Sequence, residues 1–99
     1  MKAYILIKES VPLGFAMVAA AHAGTILGMS DNEMAKAWRN GVFRKCLCKV
    51  SASEFEAAKQ SPLIHTILTE SALDYQEVAI VFMPQIEWPK EFRFYQLYK

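Results

Sequence analysis

Residues 3–29 read AYILIKESVPLGFAMVAAAHAGTILGM, and this stretch decides the fold class. Ala3–Lys8 is a short apolar run rich in Ile and Tyr, the pattern of a mostly buried first strand. Between Glu9 and Gly14, Pro12 and Gly14 end the strand and turn the chain. From Phe15 to about Met29 the composition favours helix, with alanine at Ala16, Ala19, Ala20, Ala21 and Ala23. Only His22 and Thr25 interrupt its apolar surface. A helix apolar all round is expected to be covered on more than one side. Strand, turn and apolar helix in that order start an α/β chain.

The remainder extends this beginning. Ser30 and Glu33 have the spacing of a capping box for a second helix over 31–39, which Asn40-Gly41 would end. Met34, Ala37 and Trp38 would share its inner face. Val42–Val50 alternates, with Cys46, Cys48 and Val50 on one side and Lys45, Leu47 and Lys49 on the other. Ser51 or Ser53 caps a third helix carrying Phe55 and Ala58 inward. Leu63–Thr69 and Glu77–Met83 read as two further strands, the second closed by Pro84. The tail from Glu87 holds Trp88, Phe92, Phe94, Tyr95 and Tyr98. The order β-α-α-β-α-β-β predicts a small mixed four-stranded sheet flanked by helices, in one domain over 1–99.

Composition limits the function classes. The chain has 99 residues, 54% of them hydrophobic and 21% charged, enough apolar content for one core and too much for disorder. Val11–Met29, the longest weakly polar stretch, is too rich in Ala and Gly for a membrane span. The start, MKAYILIKES, is too short in apolar residues for a secretion signal, which points to the cytoplasm. Cys46 and Cys48 are spaced for one strand face and not for a disulfide, so reduced thiols are expected. The formal net charge of +1 conceals a layout. Lys36, Arg39, Arg44, Lys45 and Lys49 lie in an acid-free block, whereas the second half is acidic. Such a block suits either a solvated surface or phosphate contact.

Chemistry-bearing groups are sparse. No dinucleotide fingerprint, P-loop or nucleophile elbow occurs. Cys46, Cys48, His22 and His65 are zinc-type ligands, but C-x-C on a strand lacks the turn of a zinc knuckle, so no metal or other cofactor is expected. A Cys–His nucleophilic pair requires His22 to lie over the strand bearing Cys46. His22 is either a buried histidine bonded to a carbonyl or the floor of a cleft beside Pro12–Gly14. Glu70 and Asp74 follow the third strand, where α/β sheets commonly place ligands.

Several of these segments, in the same order, resemble the type II peptidyl-tRNA hydrolases. Leu13–Ala23, LGFAMVAAAHA, is similar to that family's K-G-K-x-A-A-Q-x-x-H-A segment. Trp38-x-x-Gly41, the strand Arg44–Val50 and the helix beginning at Ser51 follow its W-x-x-x-G region, with Trp38 one residue closer to the glycine. Leu68–Ala72 is similar to the stretch around D-A-G-x-T, and Val78–Phe82, Pro84 and Leu97-Tyr98 also fit. The resemblance implies a mixed four-stranded sheet and ester hydrolysis of peptidyl-tRNA. Carried across, it assigns His22 a hydrogen-bonding or proton-transfer role and sets Glu70 where the family has an aspartate. It places Gly14, Phe15, Lys45 and Lys49 at the substrate.

The family's lysine positions are Leu13 and Phe15 here, its glutamine is Ala19, and the glycine after the aspartate is Ala72. Removing a cation removes stabilisation of developing anionic charge. The alternative expectation is a non-catalytic binding or assembly module on the same fold, using an apolar cleft and the aromatic tail. A homodimer is expected from the apolar helix and tail, with tRNA a further partner implied by the resemblance and no membrane.

Overall fold

The computed structural model describes all 99 residues. In chain order the elements are β1 (Lys2–Lys8), α1 (Leu13–Met29), α2 (Glu33–Arg39), β2 (Arg44–Val50), α3 (Ala52–Lys59), β3 (His65–Glu70), β4 (Gln76–Gln85) and β5 (Gln96–Leu97). Short 3-10 turns occupy Ser71–Leu73 and Lys90–Phe94.

Ala3 to Ile7 are all buried, so β1 is apolar on both faces and needs a layer on each side. It pairs in parallel with β2 and antiparallel with β4. β3 lies beyond β4 and β5 beyond β2, giving the five-stranded order β3-β4-β1-β2-β5. The sheet is thus mixed, as its connections suggested, but has five strands and not four. The fifth comes from the tail, where Leu97 and Gln96 pair with Cys48 and Lys49.

Each face has its own core. On one, Ala3, Ile5, Ile7, Val81 and Met83 meet Ala16, Ala19, Ala23 and Leu27 of α1 and Ala35 and Trp38 of α2. On the other, Tyr4, Leu6, Cys48, Val50, Ile80 and Phe82 meet Phe55 and Ala58 of α3 and Phe92 of the tail. Aromatic rings close this second face: Tyr4, Phe82, Trp88 and Phe92 stand edge-on or tilted with centroids 4.7–6.1 Å apart. The Trp88 indole donates to the Lys2 and Gln85 carbonyls at 3.2 Å, so its polar edge is satisfied.

Local chemistry moved several boundaries. α1 begins two residues early because Pro12 serves as its N-cap residue, and Ala16 N–H reaches the Pro12 carbonyl at 2.9 Å. α2 is capped by Asn32, whose Oδ1 accepts from Ala35 N–H at 3.0 Å, and Ser30 instead bonds Asn32 N–H. Its buried pair is Ala35 and Trp38; Ala37 is exposed. β2 starts at Arg44, because Phe43 takes φ 43° and breaks the extended run. β3 starts at His65, after the Ser61–Leu63 turn, in which Leu63 N–H donates to Ser61 Oγ. β4 runs through Pro84 to Gln85. Met83 N–H bonds the Ile64 carbonyl of β3, so Pro84 turns its nitrogen toward β1, and it is tolerated because the β1–β4 ladder is irregular there, between Phe82 opposite Tyr4 and Gln85 opposite Lys2.

Ser51 forms the full capping box of α3: its hydroxyl accepts from Glu54 N–H at 3.1 Å and Glu54 Oε1 accepts from Ser51 N–H at 2.8 Å. Phe55, fully buried, is the anchor of the second core. Phe55→Ala is therefore expected to cost about 3–5 kcal/mol, and Ser51→Ala about 1 kcal/mol. Urea unfolding of the two variants checks this ordering; an equal or reversed cost contradicts the roles given to the two residues.

Candidate functional site

Ala16, Ala19, Ala23 and Leu27 are the buried residues of α1, and their spacing makes one stripe along the helix. The rest of the helix is not covered. Leu13 is 64% exposed, Met17 65% and Met29 78%, so the expected cover on a second side is absent within one chain. The helix presents an apolar outer surface instead.

His22 is exposed on the flank of α1, neither buried nor at a cleft floor. Its position follows from helix arithmetic, since it is three residues from Ala19 but one from Ala23, off the buried stripe. Glu70 is the last residue of β3. Its Oε2 accepts from Ala72 N–H at 3.0 Å and so caps the following turn. Because β3 is parallel to β1, Glu70 lies at the sheet end where α1 begins. His22 is nine residues into that helix, about 14 Å further along its axis. The two residues share a side of the sheet, but the structure supplies no acid–base pair.

Gly14 is exposed in the first turn of α1, and a Cβ there would meet nothing within 4 Å. Phe15 packs against the first core. Lys45 Nζ sits over the rings of Trp38 and Phe43, at 5.2 and 4.8 Å, and donates to the Phe43 carbonyl. Lys49 Nζ sits 4.7 Å over the Tyr98 ring and 3.5 Å from the Lys99 carbonyl. Both lysines are held along aromatic surface, with their stems covering it. Asp74 takes a left-handed turn, φ 54°, after the 3-10 segment.

Topology separates the metal-type ligands. His65, Phe82, Tyr4 and Cys46 are successive partners in one row across the sheet, so His65 and Cys46 are three strand spacings apart, about 14 Å. His22 is on the opposite face from both cysteines, which removes the Cys–His pair. No three His, Cys, Asp or Glu side chains converge as a metal cage. Burial, reinforced by neighbouring Cys46, pushes the Cys48 thiol up to about 11, so at neutral pH it is a protonated core group and not a nucleophile.

One concavity is apolar throughout. A groove of about 330 Å³ has Ile7 and Leu47 as its floor, Leu13, Ala16, Met17 and Ala20 of α1 as one wall and Tyr98 as the other. Tyr98 is carried there by the tail, which crosses the edge of β2 at β5 and bonds Leu47 through its N–H at 2.9 Å. The sequence signalled the apolar helix and the aromatic tail separately; their meeting depends on the fifth strand. Wider clefts of about 590 and 530 Å³ lie by Ile64–Ile86 and by α3, and their linings mix apolar with polar and acidic side chains. No helix is long and apolar enough to cross a membrane, and α1 and α2 meet at 104°.

Comparison of the chain with protein-family models finds no match, and comparison with curated proteins finds none either.

Four groups titrate above their ordinary range. Cys48 does so through burial; Tyr4 and Tyr95 also through burial; Lys59 through its hydrogen bond to Glu77 at 2.6 Å. Each binds its proton more tightly folded than unfolded. Stability contributed this way is present below the unfolded pKa and is lost as pH rises through the folded one. The urea midpoint is therefore expected to decline from pH 9.0, the ordinary thiol value, toward about 11, with Cys48 leading. Cys48→Ala is expected to flatten the first part of that decline, and an unchanged slope rejects the assignment.

Proposed function

We propose that this protein is a non-catalytic binding or assembly module on a fold similar to that of the type II peptidyl-tRNA hydrolases, acting in the cytoplasm. The observation that carries the reading is the all-apolar groove beside α1, set against the absence of any joined acid–base pair. Three features support the loss of catalysis. Phe15, half-buried, packs against the first core where the resembled family has lysine, His22 is exposed, and Glu70 is engaged by its own turn. A hydrolase must stabilise charge that develops in the transition state, and Leu13 and Phe15 supply no cation at the positions where the resembled family has lysines. The mixed sheet and the β-α-α-β-α-β-β order, with β5 added, support the likeness in fold. A fold does not bring an activity with it.

The groove suits an apolar side chain or a short acyl group. It is at the small end of the ~300–1,000 Å³ typical of ligand sites. The tRNA partner implied by the resemblance has weaker support, because Lys45 and Lys49 are laid over aromatic rings at the sheet side, and Leu13 makes the start of α1 apolar.

Peptidyl-tRNA incubated with the protein is expected to release no peptide above background, with His22→Ala and Glu70→Gln indistinguishable from the parent chain. Turnover that either substitution abolishes overturns the binding-module reading. In the same samples, the fluorescence of 1-anilinonaphthalene-8-sulfonate is expected to rise saturably, and Met17→Lys in the groove wall is expected to remove that rise without shifting the urea midpoint.

A further inference from the structure

The two edges of the sheet are protected differently. β2 carries Arg44 and Lys45 along its outer edge, and β5 covers that edge at Cys48 and Lys49. β3 forms the other edge with the sequence HTILTE, and no strand lies outside it. It has no lysine and no proline, and its one formal charge is Glu70. The irregularity of its ladder with β4 falls where β4 skips Val78 between Ala79 and Glu77, so β3 itself runs unbroken. Lysines, prolines and bulges are the usual devices that keep edges from pairing, and β3 lacks all of them.

The free backbone groups can be assigned. The Ile64 carbonyl accepts from Met83 N–H at 3.0 Å, and the Glu70 carbonyl accepts from Tyr75 N–H at 2.9 Å. Even-numbered residues therefore turn their main chain toward β4. By alternation His65, Ile67 and Thr69 direct N–H and C=O outward. Apolar side chains border this row: Ile64 is 64% exposed and Ile86 71%, and Met29 shares a shallow cleft with Ile64, Thr66 and Met83.

We propose that β3 pairs antiparallel with β3 of a second copy about a two-fold axis at Ile67, so that two sheets become one. Identical antiparallel strands are related by an axis normal to the sheet, and residues opposite each other must share a face. An axis at Ile67 meets that condition and engages every outward residue. Ile67 faces itself, and His65 faces Thr69 of the second copy, in both directions. Six main-chain hydrogen bonds result, one for each outward N–H. On the other face Thr66 opposes Leu68, and Glu70 opposes Ile64, so no like charges meet. Shifting the axis to Leu68 would leave His65 without an outward partner in the strand. The second copy is favoured because the strand complements itself at this register with no like charges opposed and every outward main-chain group engaged. An isologous contact of this kind closes at two subunits. The surface is separate from the groove, so the proposal goes beyond the binding reading and survives its failure.

Light scattering across the micromolar range is expected to give twice the chain mass of 11.2 kDa. The double variant His65→Lys, Thr69→Lys, which sets lysine against lysine at both ends of the pairing, is expected to halve that mass and keep the circular dichroism spectrum. Met17→Lys, in the groove, is expected to leave it doubled. A monomeric parent chain overturns the proposal, as does a dimer that survives the edge lysines or is broken by Met17→Lys. Should the edge variant fail to fold, amide exchange of the parent chain decides. Protection of His65, Ile67 and Thr69 that rises with protein concentration supports the pairing, and exchange independent of concentration rejects it.

Discussion

The burial of β1 on both faces is the constraint on which the rest depends. Five consecutive residues, Ala3 to Ile7, are removed from water, alternating between two cores. A strand of that kind is stable only between two neighbours and beneath two layers. β2 and β4 supply the neighbours, α1 with α2 supplies one layer, and α3 with the aromatic tail supplies the other. The two layers differ in kind. Alanines let the long α1 lie on its face with little side-chain volume, whereas the face beneath α3 is filled by large rings. An eight-residue helix could not cover that face alone, and Trp88 and Phe92 complete it.

The same constraint explains what could be read in advance. β1, the apolar α1 and the Phe55–Ala58 pair on α3 are carried by local periodicity, and the structure keeps them. β5 was not legible, because Gln96-Leu97 has no strand pattern of its own. It is extended because the aromatic anchors on one face and Tyr98 on the other draw the tail across the edge of β2. Pro84 illustrates the opposite case. Its missing N–H argues for a strand end, yet it falls at the irregularity of the β1–β4 ladder, where a proline is accommodated. Capping followed the same logic: Ser30 and Asn32 are both good caps, and only the path of the chain decides which side chain meets Ala35 N–H.

The candidate site was legible as composition and not as geometry. Leu13, Met17 and Tyr98 stand out as apolar residues in unusual company, but whether they meet depends on the long-range pairing of the tail. His22 was misplaced for a related reason. A lone histidine in an apolar run suggests a buried group needing a partner, and that inference assumes that the whole helix is buried. Only the stripe from Ala16 to Leu27 is covered, so the histidine meets water and incurs no desolvation. Its exposure and the absence of a second layer over α1 are one fact.

That fact also redirects the reading of the high apolar fraction. The 54% hydrophobic content exceeds what the two cores use, and several large apolar side chains remain exposed, Val42 and Phe94 among them. Part of the surplus lines the groove along α1, and part borders the bare edge at β3. Charge is distributed in the complementary way, since Arg44, Lys45 and Lys49 occupy the edge and rim at β2, where they discourage strand addition. The buried side chains are of the hydrophobic classes, and the groove along α1 has the Tyr98 hydroxyl as the single polar side-chain group among its lining residues. Glu54, Glu70, Lys45 and Lys49 are taken up in a cap, a turn and ring contacts, so what the groove and the border of β3 present to solvent is mainly apolar.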